Sequence, residues 1–165
     1  MRKVSFLLFL LLLLSVPASC QVKVAVGFYL GGAYPKYGVS VNFRVNEKVT
    51  LEPIFSFGLN QNRGDLRWGL RCKYNLSPQS SRDRYLGLGI GAAQSRNMWE
   101  TKQELGFNAF VGIASPGTHF TSSFDLGPEI ARVRYLPHDE LETEEFFTGG
   151  MRFGFGYHYN FHKEP

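Results

Sequence analysis

From residue 22 to residue 161 the chain alternates in eight separate runs, one side chain large and apolar, the next small or polar. The last run is the clearest. In "MRFGFGYHYNF" (151–161) the odd positions are Met151, Phe153, Phe155, Tyr157, Tyr159 and Phe161, and Arg152, Gly154, Gly156, His158 and Asn160 stand between them. A period of two belongs to a β-strand, whose successive side chains leave opposite faces. The same period runs through "VKVAVGFYL", "YGVSVNFRV", "VTLEPIFSFGL" and "LRWGLRCKYNL", then "YLGLGIGAA", "ELGFNAFVGI" and, more weakly, "FTSSFDLGPEI". No helical period competes with it. The pattern predicts an all-β fold of eight antiparallel strands.

The connections carry a second rhythm. "NEK" (46–48), "SPQSSRD" (77–83) and "SPGT" (115–118) are brief. "QSRNMWETKQ" and "RVRYLPHDELETEE" are longer. Short and long connections in alternation fit an up-and-down meander with two different ends, the short turns periplasmic and the long loops extracellular. Pro53 and Pro128 fall inside strands and donate no ladder bond, so a bulge or local break is expected at each.

Side-chain volume decides which face points inward. The interior of an eight-stranded barrel is only just wide enough for side chains to fill it. One face of these strands carries Phe, Leu, Trp and Tyr, and the other carries glycines from Gly27 to Gly156 with Ala and Ser. The bulky face therefore belongs outside. An exterior that apolar far exceeds an ordinary exposed patch in water and is required in a bilayer. The expected fold is an eight-stranded up-and-down transmembrane β-barrel.

Charge follows the same division. Lys23, Arg44, Glu52, Arg67, Arg71, Lys73, Glu104, Asp125, Glu129 and Arg152 all lie on the small-residue face. On lipid, a basic residue at mid-bilayer costs about 2–4 kcal/mol. In a lumen these ten can pair with one another. Three contacts are expected: Arg44 with Glu52 as diagonal neighbours, Lys73 with Glu52, and Arg152 with Glu129. Gly87, Gly89, Gly91 and Ala93 leave room on the inner wall for neighbours such as Arg67, Arg71 and Phe110.

The N-terminus sets the compartment. Arg2 and Lys3 precede "FLLFLLLLL" (6–14) and "SVPASC" (15–20), the layout of a cleaved secretory signal. Residues 1–20 are read as the signal peptide and 21–165 as one barrel domain. Cys20 leaves lipid modification open, although Pro17 stands where that signal places Leu. Of 18 basic and 14 acidic residues, removing Arg2 and Lys3 leaves 16 against 14, a balance of +2 that gives no reason to expect nucleic acid. Once Cys20 is removed, Cys72 has no partner for an internal disulfide.

Residues 21–161 resemble, by this pattern, the small OmpA/OmpX-like outer-membrane β-barrel family. The residues that carry the resemblance are Phe161 as terminal aromatic, with Tyr159, Tyr157, Phe155 and Phe153 at steps of two before it. The resemblance implies a signal read by the barrel-insertion machinery, outer-membrane lipid as the surrounding partner, a monomer, and residence in the bacterial outer membrane. "HKEP" after Phe161 departs from the family, whose members end on the aromatic.

Candidate chemistry is sparse. His119, His138, His158 and His162 show no metal-ligand spacing, and no cofactor is expected. "HFTSS" (119–123) resembles the His-x-Ser arrangement of the lipid A deacylase barrels, but Thr121 stands where the serine belongs. The acidic "HDELETEE" (138–145) reads as a solvated loop. Arg132 and Arg134, just before it, are candidates for contact with lipopolysaccharide phosphates. The expected function is a non-enzymatic outer-membrane barrel with a structural or surface-interaction role. A narrow porin and a lipid A-modifying enzyme are the alternatives.

Overall fold

The computed structural model describes residues 23–31, 37–60, 63–77, 82–137 and 142–161. Residues 1–20, read as a signal peptide, lie outside it. The described residues form eight strands: β1 (Lys23–Gly31), β2 (Tyr37–Arg44), β3 (Val49–Asn60), β4 (Arg63–Asn75), β5 (Asp83–Arg96), β6 (Glu100–Pro116), β7 (Phe120–Pro137) and β8 (Glu144–Asn160). Each pairs antiparallel with its chain neighbours, and β1 pairs with β8, closing an up-and-down barrel. Lys23 and Asn160 share one end, called the lower end below. The β5–β6 and β7–β8 connections are at the upper end.

The register fixes the tilt. Carried round from Lys23, it passes through Arg44, Thr50, Lys73, Gly87, Phe110 and Gly127 to Arg152. Positions 23 and 152 sum to 175, while every β1–β8 pair sums to 185, so the barrel closes with a stagger of ten residues. That stagger in eight strands tilts them by about 40°.

Facing follows the alternation on every strand. Tyr29, Ser40, Glu52, Arg71, Tyr85, Phe110, Asp125 and His158, one from each strand, are buried inside. Phe28, Val39, Phe55, Trp68, Leu88, Phe107, Leu126 and Phe155 are exposed outside. The apolar side chains thus cover the convex surface, and the centre is polar.

Two local expectations meet a different outcome. The long connections are mostly strand. β5 runs to Arg96 and β6 starts at Glu100, joined by a tight turn in which the Asn97 carboxamide accepts from Trp99 N and Glu100 N at 2.8 and 2.7 Å. β7 likewise runs to Pro137 and β8 starts at Glu144, so Arg132, Arg134, Glu144 and Glu145 lie on strands; 138–141 lie outside the described residues. Polar residues on both faces hide a strand from any reading based on hydrophobic period.

The prolines interrupt pairing without shifting it. The β2–β3 ladder skips between Ser40↔Ile54 and Phe43↔Leu51, around Pro53. The β6–β7 ladder skips between Asn108↔Glu129 and Val111↔Leu126, around Pro128. The register is the same on both sides of each gap, so these are breaks and not bulges, because a missing N–H removes a bond but inserts no residue.

Glycines let the interior fill. A Cβ on Gly87 would enter the Phe110 ring, and one on Gly112 the Tyr85 ring. Gly127, beside the Pro128 gap, is tighter still: its Cβ would strike the backbone carbonyl of Ala109, which cannot rotate away. Gly127→Ala is therefore expected to push β6 from β7 and destabilise the barrel by about 1–3 kcal/mol. Urea unfolding of the detergent-refolded protein measures it, with Gly150→Ala, which meets nothing within 4 Å, as the neutral comparison.

Candidate functional site

The strand pattern that puts bulk outside leaves the interior to charged groups, and they converge. Glu52 on β3 is fully buried. Its Oε2 accepts from Arg71 Nη1 at 3.1 Å and lies 2.9 Å from Lys73 Nζ. Arg71 and Lys73 are two apart on β4, so both point inward from adjacent turns of the pleat. Arg71 continues across the barrel, where Nη2 donates to Asp125 Oδ2 on β7 at 2.6 Å. Tyr85 Oη on β5 donates to the same carboxylate oxygen at 3.2 Å. The guanidinium lies between two rings, 4.5 Å from the Tyr29 centroid and 4.0 Å from that of Phe110. Both faces and both ends of Arg71 are thus occupied.

His158 on β8 completes the ring of contributors. Its Nε2 is 2.6 Å from Ser40 Oγ on β2 and 3.2 Å from Glu52 Oε1. A serine–histidine–carboxylate relay needs hydroxyl and carboxylate on opposite ring nitrogens. Here both stand at Nε2, and all three side chains are sealed from solvent. The cluster sets two cations, Arg71 and Lys73, against two anions, Glu52 and Asp125, and every strand supplies a member. Its geometry is that of a plug.

The other interior charges are arranged above and below it. Above, Arg152 Nε is 3.5 Å from Glu129, Arg67 is 3.6 Å from Asp65, and Lys102 is 2.5 Å from Glu104. Below, Arg44 is 3.9 Å from Asp83 and donates to the Glu47 carbonyl at 3.1 Å. Lys23 pairs with Arg44 in register. The expected Lys73–Glu52 and Arg152–Glu129 contacts are present. Arg44 does not meet Glu52; it turns down to Asp83 because Arg71, Lys73 and His158 already surround that carboxylate.

Sequence reading missed Ser40, Tyr85, Asp83 and His158 as members. Parity alone places His158 inside, since it alternates with Tyr157 and Tyr159. Asp83 falls in the connection "SPQSSRD", and Tyr85 opens the run "YLGLGIGAA" as a large ring on its small-residue face.

The remaining candidates lie outside the barrel wall. Phe153, Phe155, Tyr157 and Tyr159 project outward from β8, and Phe161 follows the strand end with its ring edge-on to Tyr159 at 5.4 Å. Phe120 stacks on Tyr157 at 5.1 Å, and His119 lies parallel to Tyr159 at 6.5 Å, so the lower end carries an aromatic cluster. Thr121, two residues after His119, bonds Asn160 at 3.2 Å. Arg132 and Arg134 point outward at the upper end, and Arg132 forks onto Glu145 at 2.8 and 2.7 Å. Among the described residues no His, Cys, Asp and Glu group has the arrangement of a metal site. No family model, curated protein or solved structure matches this chain.

Proposed function

We propose that the protein is an integral outer-membrane β-barrel, of the OmpA/OmpX-like kind, that acts without catalysis as a closed scaffold for its upper, extracellular rim. The observation that carries this reading is the height of the uncharged exterior. On β7 it extends from Phe120 to Ile130, and Arg132 follows. On β6 its apolar part extends from Ile113 up to Leu105, and the polar but uncharged Gln103 follows. At about 3.3 Å per residue and a tilt of about 40°, the β7 stretch is about 25 Å tall, the hydrocarbon thickness a membrane barrel covers. Trp68 near its top and Tyr74, Tyr157 and Tyr159 near its base suit the two interfaces. Both ends of the described chain then lie on the periplasmic side, in keeping with delivery by a signal peptide and with an aromatic closing strand offered to the insertion machinery.

The plug supports a scaffold over a channel. Arg71 spans the interior between Glu52 and Asp125, and Tyr29 and Phe110 close against it. The enzyme alternative would need an accessible nucleophile, and the buried Ser40–His158–Glu52 group offers none. The protein is expected to fractionate with the outer membrane as a monomer, and to migrate faster on gels unheated than boiled. Recovery as a soluble monomer without detergent would overturn the reading.

A further inference from the structure

The exterior of β4 to β7 changes character over one step of the pleat. Trp68, Ala92 and Leu105 are consecutive partners in the ladder, and Arg132 is next to Leu105. One step higher, the ladder runs from Leu66 through Gln94 and Gln103 to Arg134. Ala92 is the smallest member of the lower row, so a groove opens over it between the Trp68 ring and Leu105, with Gln94, Gln103 and the two arginines along its upper edge. A second groove, almost wholly apolar, lies lower on the same strands over Ala109, between Leu88 and Leu126. Arg96 stands one step above Gln94 on the same face. Arg96, Arg132 and Arg134 stand on this face with Glu145, and Glu104, which also lines the groove, is paired with Lys102, so the face keeps a positive excess.

We propose that this face binds one phosphate-bearing glycolipid of the outer leaflet, with the phosphate at Arg134 and Arg132, sugar hydroxyls at Gln94 and Gln103, and an acyl chain in the groove over Ala92. The proposal rests on the membrane reading above and adds a ligand to it. Charge and shape point the same way. A free anion would have no use for a groove lined by Trp68 and Leu105, and a neutral acyl chain none for two arginines at the head-group level. Planar guanidinium groups fit phosphate oxygens two at a time. Glu145 takes the fork of Arg132 and holds it against β8; it also stands opposite Arg134 in the ladder, so one carboxylate faces two arginines and leaves an excess positive charge for the head group.

The test uses the mature barrel in nanodiscs of zwitterionic phospholipid containing a minor fraction of bisphosphorylated glucosamine lipid. Native mass spectrometry reads the lipid that stays bound. The glycolipid is expected to be retained well above its share of the bilayer. Arg134→Gln is expected to cut that enrichment about tenfold, the loss of one charge-assisted contact. Ala92→Phe, which fills the groove and leaves every charge in place, is expected to cut it as well. Equal retention by the wild type and both variants overturns the proposal. Displacement of the glycolipid by inorganic phosphate also overturns it, since the site would then bind an anion without a chain. If the wild-type barrel enters the bilayer and shows no enrichment, the lipid site fails alone. If it does not enter, the membrane reading fails and the site with it.

Discussion

Replacing Glu52 by alanine is expected to destabilise the barrel by about 3–5 kcal/mol, the cost of leaving buried charges without their partner. The two cations do not suffer equally. Arg71 keeps Asp125 and its two aromatic neighbours. Lys73 loses the carboxylate at 2.9 Å and keeps the Tyr85 ring, 5.3 Å away, and the more distant charge of Asp125. Its ammonium must draw in water or lose its proton. Urea unfolding in detergent measures the stability, and conductance across a planar bilayer measures the interior. The wild type is expected to be silent and Glu52→Ala to leak, because water that solvates Lys73 must occupy the bore. Steady ohmic openings in the wild type would sink the scaffold reading and favour the narrow porin.

Phe155→Arg should block insertion or cost about 2–4 kcal/mol, whereas Gly150→Arg on the same strand should be tolerated. Phe155 projects outward near the middle of the apolar band, paired with Leu30 and Phe124. Gly150 is on the inner face of β8, has no atom within 4 Å of its virtual Cβ, and pairs in register with Glu129. A new cation there gains an acidic neighbour. Ser40, an inner position by sequence parity, is a poor place for the same control, since it is fully buried against His158. Heat-dependent gel migration after refolding into lipid vesicles reads both variants. Equal tolerance at Phe155 and Gly150 would mean that the outer face does not meet hydrocarbon.

Much of this architecture is legible in the alternation. Glu52, Arg71, Lys73, Asp125 and Glu129, read from the sequence as interior, are buried, because a strand's period is fixed at two and a slip of one residue would put them outside. What alternation cannot reach is the part of each strand where both faces are polar. Arg132 to Pro137 and Glu100 to Gln103 carry no hydrophobic period, and only the ladder between them makes them strand. Nor does parity say which charges meet. Arg44 and Lys73 both fall near Glu52 on paper. The choice of Lys73 follows from the stagger of the closed barrel, which brings β4 and β8 side chains onto that carboxylate first. Asp83 is hidden in the sequence for a different reason: its strand begins before its apolar side chains do.

The join between β1 and β8 has a consequence for how the ring is made. Among the described residues, seven pairs hold it, against sixteen between β7 and β8. Every other seam links chain neighbours through a turn and can zip locally. This one brings together residues separated by nearly the whole chain, so its loop-closure entropy is the largest and its contacts arrive last. Until then the molecule is a seven-seam sheet with two bare edges, the form most prone to pair with a foreign strand. The same seam needs Gly27 for the Tyr157 carbonyl and His158 backbone to approach. The last step of assembly therefore also has little steric latitude, and the lifetime of the closed ring depends on the one seam that no turn holds together.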